Sequence, residues 1–421
     1  MMRLTRESIS GGRLRSPGIY IEHYQEPGGR EFETGVPLFV GFGSVANSAA
    51  DELLLNRSLD IPDAVCESSF SILRIDSVPD IVSNIIVKDG SYLVSAMRGF
   101  FANGGKRCVA AVIDNHAVSQ LRQLFQSGGV LEQIEGVDLV CVPDSVHKSI
   151  AAIPELLTSL QTDILDYCER MGDRFAILDG PEKLLRTLAV EQEAVSNLSA
   201  ISLPVSVHGA GAIYVPWVKP CISGNDASDP VPASGHVAGI YARVDSKAGP
   251  HQAPANEMLE GVVDLESEVS DDMQSVLNDL GVNCIRSLPG RGIRVWGART
   301  LSDRQGWRHV NVKRLFLTLT RWLEVAMADL VLEPNTESLR AKIRMRVKGY
   351  CNELMNQGAL AGRETSEAYV VKCDVENNPA EVRESGMVVA EIGLATVVPT
   401  EFIFIRVTQS ANVTVVTPVF R

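Results

Sequence analysis

Residues 107–179 read RCVAAVIDNHAVSQLRQLFQSGGVLEQIEGVDLVCVPDSVHKSIAAIPELLTSLQTDILDYCERMGDRFAILD. Three apolar runs stand in this stretch, at 107–113, 136–142 and 174–179, and none of them alternates polar with apolar. Short runs apolar on both faces are what strands covered by helices on either side require. Helical patterns lie between them. Val118, Leu121, Leu124 and Phe125 share one helix face, closed by Gly128 and Gly129. From about Pro154 to Met171, residues Leu156, Leu157, Leu160, Ile164 and Tyr167 keep the 3.6-residue period. Strands alternating with helices predict an α/β layer with parallel pairing. Working outward, residues 19–24, 36–42 and 81–87 read as further strands, and a helical run begins at Glu182.

Beyond residue 223 the texture changes. Residues 223–230 and 245–254 are rich in turn formers and read as loops. Residues 309–332 are apolar on nearly every face, which predicts a central helix. The tail, residues 412–421, is β-prone, and Pro418 within it fits only an edge or a strand end. The polar, basic start of the chain reads as a flexible arm of roughly 15 residues.

The chain has 421 residues, enough for two or three folding units at about 150 residues each. It is 45% hydrophobic and 22% charged, which supports a true core and excludes disorder of the whole. No window of about 18 residues is uninterruptedly apolar, so no membrane-spanning helix is expected, and no apolar segment follows the charged N-terminus as a secretory leader would need. Acidic residues outnumber basic ones 52 to 39, a net charge of −13 that argues against nucleic-acid binding through the overall field. The eight cysteines (66, 108, 141, 168, 221, 284, 351 and 373) include no CxxC pair, and they read as free thiols of a protein in a reducing, cytoplasmic compartment.

Candidate chemistry is sparse. Gly99–Lys106 is one residue off a phosphate-loop spacing, with Arg107 where a magnesium-binding Ser or Thr would stand. A cytoplasmic α/β enzyme binding a ligand at that loop is the rival reading; a plain glycine turn into the next strand is the simpler one. Neither Gly209-Ala210-Gly211 nor Gly290-Arg291-Gly292 has the third glycine of a dinucleotide fingerprint. The seven histidines form no HExxH, and no GxSxG elbow is present. No catalytic residue, cofactor or metal ligand is assigned.

One segment departs from the overall charge. In residues 338–348 (SLRAKIRMRVK) every second residue from 340 is basic: Arg340, Lys342, Arg344, Arg346 and Lys348. The apolar positions Leu339, Ile343, Val347, Tyr350 and Leu354 fall on one side only of a helix, with Asn335 or Thr336 as its N-cap. The helix then carries two basic rows beside its apolar stripe. They read either as a solvated face or as a docking surface for a negative partner.

Several blocks, in order, resemble the tail sheath proteins of contractile phage tails and contractile injection systems. They are residues 16–22 (SPGIYIE) with 35–42 (GVPLFVGF), 101–108 (FANGGKRC), 231–243 (VPASGHVAGIYAR) with 253–256 (APAN), and 281–286, 292–301 (GIRVWGARTL) and 310–315 (VNVKRL), followed by Glu333-Pro334-Asn335 and residues 401–406 (EFIFIR). The resemblance implies a mixed α/β and α+β fold: an inner C-terminal α+β domain (271–405) completed by the N-terminus, an inserted outer α/β domain (26–270), and extended β-arms at 1–25 and 406–421. It implies a non-enzymatic structural subunit that stacks, with copies of itself, in rings of six around an inner tube protein. The tube is then driven through a target envelope on contraction. Baseplate and terminator or cap proteins are the further implied partners, and no nucleic acid, membrane insertion or cofactor is involved. Assembly in the cytoplasm would precede incorporation into a virion or phage tail-like particle. The basic helix, through Arg340, Lys342, Arg344, Arg346 and Lys348, is expected to face the tube. The β-prone ends, through Ile19, Tyr20, Ile21, Val413, Val415 and Val416, lack a local hairpin partner and are expected to pair with neighbouring subunits.

Overall fold

The computed structural model describes residues 33–46, 70–88, 90–114, 118–182, 184–185, 203–223, 226–227, 229–331, 333–384, 386–399, 404–409 and 414–419. The chain divides into two compact units, 1–33 and 34–421, and all described residues except Glu33 lie in the second. In chain order the strands are β1 (Pro37–Val45), β2 (Phe70–Ile75), β3 (Ile85–Val87), β4 (Cys108–Ile113), β5 (Leu139–Cys141), β6 (Phe175–Asp179), β7 (Gly211–Val215), β8 (Val218–Ser223), β9 (Asp226–Ala227), β10 (Val262–Leu265), β11 (Val282–Leu288), β12 (Gly292–Trp296), β13 (Tyr369–Lys372), β14 (Glu391–Leu394), β15 (Phe404–Gln409) and β16 (Thr414–Val419). The longer helices are α1 (Val78–Asn84), α2 (Leu93–Ala102), α3 (Val118–Leu124), α4 (Pro154–Met171), α5 (Ser234–Ala248), α6 (Asp271–Asp279), α7 (Val310–Met327) and α8 (Glu337–Asn356).

A nine-stranded sheet, ordered β12-β11-β7-β6-β5-β1-β4-β2 with β3 on β1, organises the second unit. Its middle six strands, β4-β1-β5-β6-β7-β11, run parallel. Successive residues of a strand feed opposite faces. Leu38, Val40 and Phe42 therefore join one core with α3, α4 and α6, while Phe39 joins the other with α2, α5 and α7. Double coverage is why the strands at 108–113, 139–141 and 175–179 are apolar throughout.

The closest contact is between α2 and α5. A Cβ on Gly235 would lie 2.1 Å from the Ala96 carbonyl oxygen, and one on Gly239 2.4 Å from that of Phe100. Only glycine lets two helix backbones meet in this way.

Local readings change in four places. The strand expected at 81–87 is α1 followed by the three residues of β3, because Pro79 suits a first helical turn and only Ile81 of that helix is buried. The loop expected at 245–254 begins later, since α5 continues to Ala248 and stops at Gly249 (φ 95°). The central helix expected over 309–332 is α7, whose buried residues end at Leu319. Past that point it leaves the sheet, and Trp322 stacks on Tyr350 of α8 with ring centroids 4.1 Å apart. The sheet also crosses the expected domain boundary at 270/271: β11 and β12 extend it by pairing with β7, and a separate small core starts only with α7. That core joins Leu315, Leu354, Leu360 and Ala368, with Tyr350 and Leu394 against it, beside the two-stranded sheet β13-β14.

Candidate assembly surfaces

Helix α8 forms where the apolar spacing placed it. Leu339, Val347, Cys351 and Leu354 are buried along one side. Thr336 is the N-cap, its hydroxyl accepting the Leu339 amide at 3.3 Å, while the Asn335 side chain accepts from Arg340 at 2.7 Å.

The two basic rows are not open cationic surface. Arg340 is buried and its guanidinium donates to Glu337 at 3.0 Å. Arg344 donates to the other oxygen of Glu337 at 2.8 Å and to the Cys373 carbonyl. Lys342 pairs with Glu333 at 2.9 Å, and Arg346 with Asp329 at 2.5 Å and with the Ala326 carbonyl. The hydrogen bonds from Arg344 and Arg340 hold the Glu337 carboxyl below its usual range, and Arg346 does the same to Asp329. Largely exposed pairs like these each add little stability, but three carboxylates offset most of the four positive charges a partner would read. Among the described residues, Lys348 alone of the five has no carboxylate against it. It lies on an outward stripe with Ser338, Ala341, Met345 and Asn352, all exposed, Met345 by 70%.

Ile19, Tyr20, Ile21 and Val413 lie outside the described residues. Val415 and Val416 do not lack a local partner: β16 pairs antiparallel with β15, Val415 opposite Thr408 and Val416 opposite Val407. These two strands form a sheet of their own among the described residues. A lone two-stranded hairpin is marginal in water, so each of its strands offers an edge to a further strand.

The Gly99–Lys106 segment is a packed turn and offers no phosphate cradle. Residues 99–102 are the end of α2, and the amides of Asn103, Gly104 and Gly105 are spent on the carbonyls of Gly99, Phe100 and Phe101. The fully buried Asn103 side chain donates to Gly99 and Glu260 and accepts the Glu260 amide at 2.8 Å. Phosphate loops need free amides, and none remains at these three positions.

A doubly wound sheet receives ligands at the carboxyl ends of neighbouring strands whose connections leave on opposite faces. Here those strands are β1 and β5, and Asp144 fills the place. Its carboxylate, fully buried, accepts the amides of Phe42 and Tyr92, each at 2.6 Å, and the Ser91 hydroxyl at 2.8 Å. Burial pushes it up to about 6 despite those hydrogen bonds. No group of three residues fit to hold a metal ion occurs among the described residues.

A second charged cluster, which the sequence reading missed, is buried. Arg314 of α7 donates to both oxygens of Asp245 on α5, at 2.7 and 2.5 Å, and to Asp138 at 3.1 Å. Asp138 in turn accepts the amides of Gly35 and Val36 at 3.0 and 2.7 Å. The basic pair Lys313-Arg314 inside a largely apolar helical stretch was the available signal, since buried charges are paired.

The phage tail sheath protein central domain matches residues 130–301, and the phage tail sheath C-terminal domain matches residues 302–410. The tail sheath protein of Vibrio phage KVP40 is 26% identical over 322 residues, 70% of this chain and 47% of that protein. That of Burkholderia phage BcepMu is 31% identical over 160 residues, 35% of this chain and 33% of that protein. The chain thus spans about half or less of the length of these curated relatives. Solved sheaths of contractile particles are matched nearly end to end. The anti-feeding prophage helical sheath in its contracted state has a TM-score of 0.68 at 26% identity, covering 94% of this chain and 99% of that one. The sheath complex of an extracellular contractile injection system, also contracted, has a TM-score of 0.67 at 27% identity, covering 95% and 99%.

Proposed function

The chain belongs to the phage tail sheath family, and from that premise we propose that it is the structural subunit of a contractile sheath. Copies stack as rings around an inner tube, in contact with a baseplate at one end and a terminator at the other, and shorten together to drive the tube through a target envelope. The observation that carries this reading is the near end-to-end match to sheath chains of two contractile particles. The subunit itself is non-enzymatic. The filled crevice at Asp144 and the packed turn at Asn103 agree with that reading, and the energy of contraction is then a difference between two packings of one folded chain.

Within the subunit, the doubly covered sheet is the outer domain, and the small core of α7, α8, β13 and β14 is the inner one. Residues 1–25 and the β15–β16 hairpin lend strands to neighbouring copies. Helix α8 faces the tube with its outward stripe, so Met345 and Lys348 make the contact. Arg340, Lys342, Arg344 and Arg346 hold the helix to its own subunit.

Negative-stain microscopy of the purified chain, alone and with the tube protein of the same gene cluster, tests the reading. Long cylinders are expected from the full chain, and none from protein lacking residues 1–25 and 406–421. A small uniform oligomer from the full chain would refute the proposal, and so would normal cylinders from the trimmed protein.

A further inference from the structure

The buried cluster around Arg314 sits where residues 34–36 enter strand β1. Asp138 grips both successive amides there, and Gly35 turns through a φ of 75° with no room for a side chain, a Cβ standing 2.5 Å from the Ala242 backbone. Asp138 is held by Arg314, with Arg321 of the same helix 4.0 Å away. Asp245 takes both arms of Arg314, whose guanidinium lies 4.9 Å over the Tyr241 ring. Arg314 and Asp245 side chains are 3% and 1% exposed. Two carboxylates and two guanidiniums balance, so the group is neutral without being apolar.

Buried ion pairs are poor sources of stability compared with apolar packing, but they are demanding about geometry. This one fixes three separate parts to each other: the start of the unit at 34–36, helix α5 of the central domain, and helix α7 of the C-terminal domain. We propose that the Asp138–Arg314–Asp245 cluster anchors the N-terminal segment, so that a pull on residues 1–33 from a neighbouring copy passes into α5 and α7 and not into the end of β1 alone. The inference rests on the sheath reading for the source of the pull, while the grip itself can be measured on the unassembled chain.

Hydrogen exchange on the full-length unassembled protein is the first test. The amides of Gly35 and Val36 should exchange as slowly as those of β1. Asp138→Asn should speed them at least tenfold while leaving the β6 amides unchanged. Exchange at the rate of an open chain in the wild type would overturn the proposal, as would a variant that speeds the whole sheet equally. Arg314→Lys keeps the charge and loses the fork, and it gives a second test should Asp138→Asn fail to fold. Its cylinders should form, then break into shorter pieces on contraction while wild-type cylinders stay whole; intact contraction of the variant would also overturn the anchor. Failure of the wild type to make any cylinder would sink the sheath reading alone, leaving the exchange rates to decide the grip.

Discussion

Alanine at Gly235 or Gly239 should damage this protein although both residues lie inside a helix, where alanine is normally the better choice. On propensity alone each replacement gains about 1 kcal/mol. Against that, the new methyl groups would stand 2.1 Å from Ala96 O and 2.4 Å from Phe100 O, where an ordinary contact needs at least 3.4 Å. The obstacle is backbone, which cannot rotate aside, so α2 and α5 must part by about 1 Å in an interior packed like a crystal. Overpacking costs about 1–3 kcal/mol. Parting the helices also strips contacts from Met97, Phe100, Val237 and Tyr241, all buried between α2, α5 and the sheet. A net loss of about 2 kcal/mol or more follows for each variant. Gly349 is the control. It lies exposed in α8 with nothing within 4 Å of a Cβ, so Gly349→Ala should gain up to about 1 kcal/mol. Urea unfolding of dilute, unassembled protein, followed by tryptophan fluorescence and far-ultraviolet circular dichroism, reads all three. If Gly239→Ala unfolds at the same or a higher urea concentration than wild type, the two backbones do not touch and the account of this motif is wrong.

Asn103→Ala should destabilise by about 2–3 kcal/mol, because it leaves both the amide and the carbonyl of Glu260 without their buried partner; an unchanged urea midpoint would refute this. Lys348→Glu should weaken assembly on the tube in a salt-sensitive way. Lys342→Gln, which removes a charge already paired with Glu333, should leave it within twofold, as sedimented tube–sheath complexes would report. Asp179, wholly buried, is pushed up to about 7 from an ordinary carboxyl near 3.8. Its folded value is the higher one, so the stability it confers is full below pH 4 and is lost as pH rises to 7, by at most about 4 kcal/mol. Asp179→Asn should therefore overtake wild type progressively across that window. Parallel pH profiles of the two proteins would refute the assignment. Buried His236, held down to about 4, acts in the opposite sense, but it is common to both proteins and cancels in the comparison.

The parts of the fold that showed in the sequence are those whose cause is local. Strands at 108–113, 139–141 and 175–179 are apolar on both faces because both faces are covered, and α4 and α8 keep their period because one side of each is buried. What did not show depends on distant partners. The basic run at 340–348 was read without Asp329 and Glu333, which reach it from the end of α7 and the turn before α8, although Glu337 three residues before Arg340 was a local hint. The β-prone tail at 412–421 is visible in the sequence, but its pairing with residues 404–409 is not. Arg314 meets Asp138 across 176 residues of chain, a separation that no periodicity encodes.

Asp144 also bears on what the large sheet can take up from solution. In doubly wound proteins generally, the crevice at the strand ends is where a dissolved molecule gains leverage over the surrounding helices. This chain has plugged that keyhole with a carboxylate of its own, bonded to the amides of Phe42 and Tyr92. A dissolved molecule could enter at that point only by displacing Asp144 from two backbone amides.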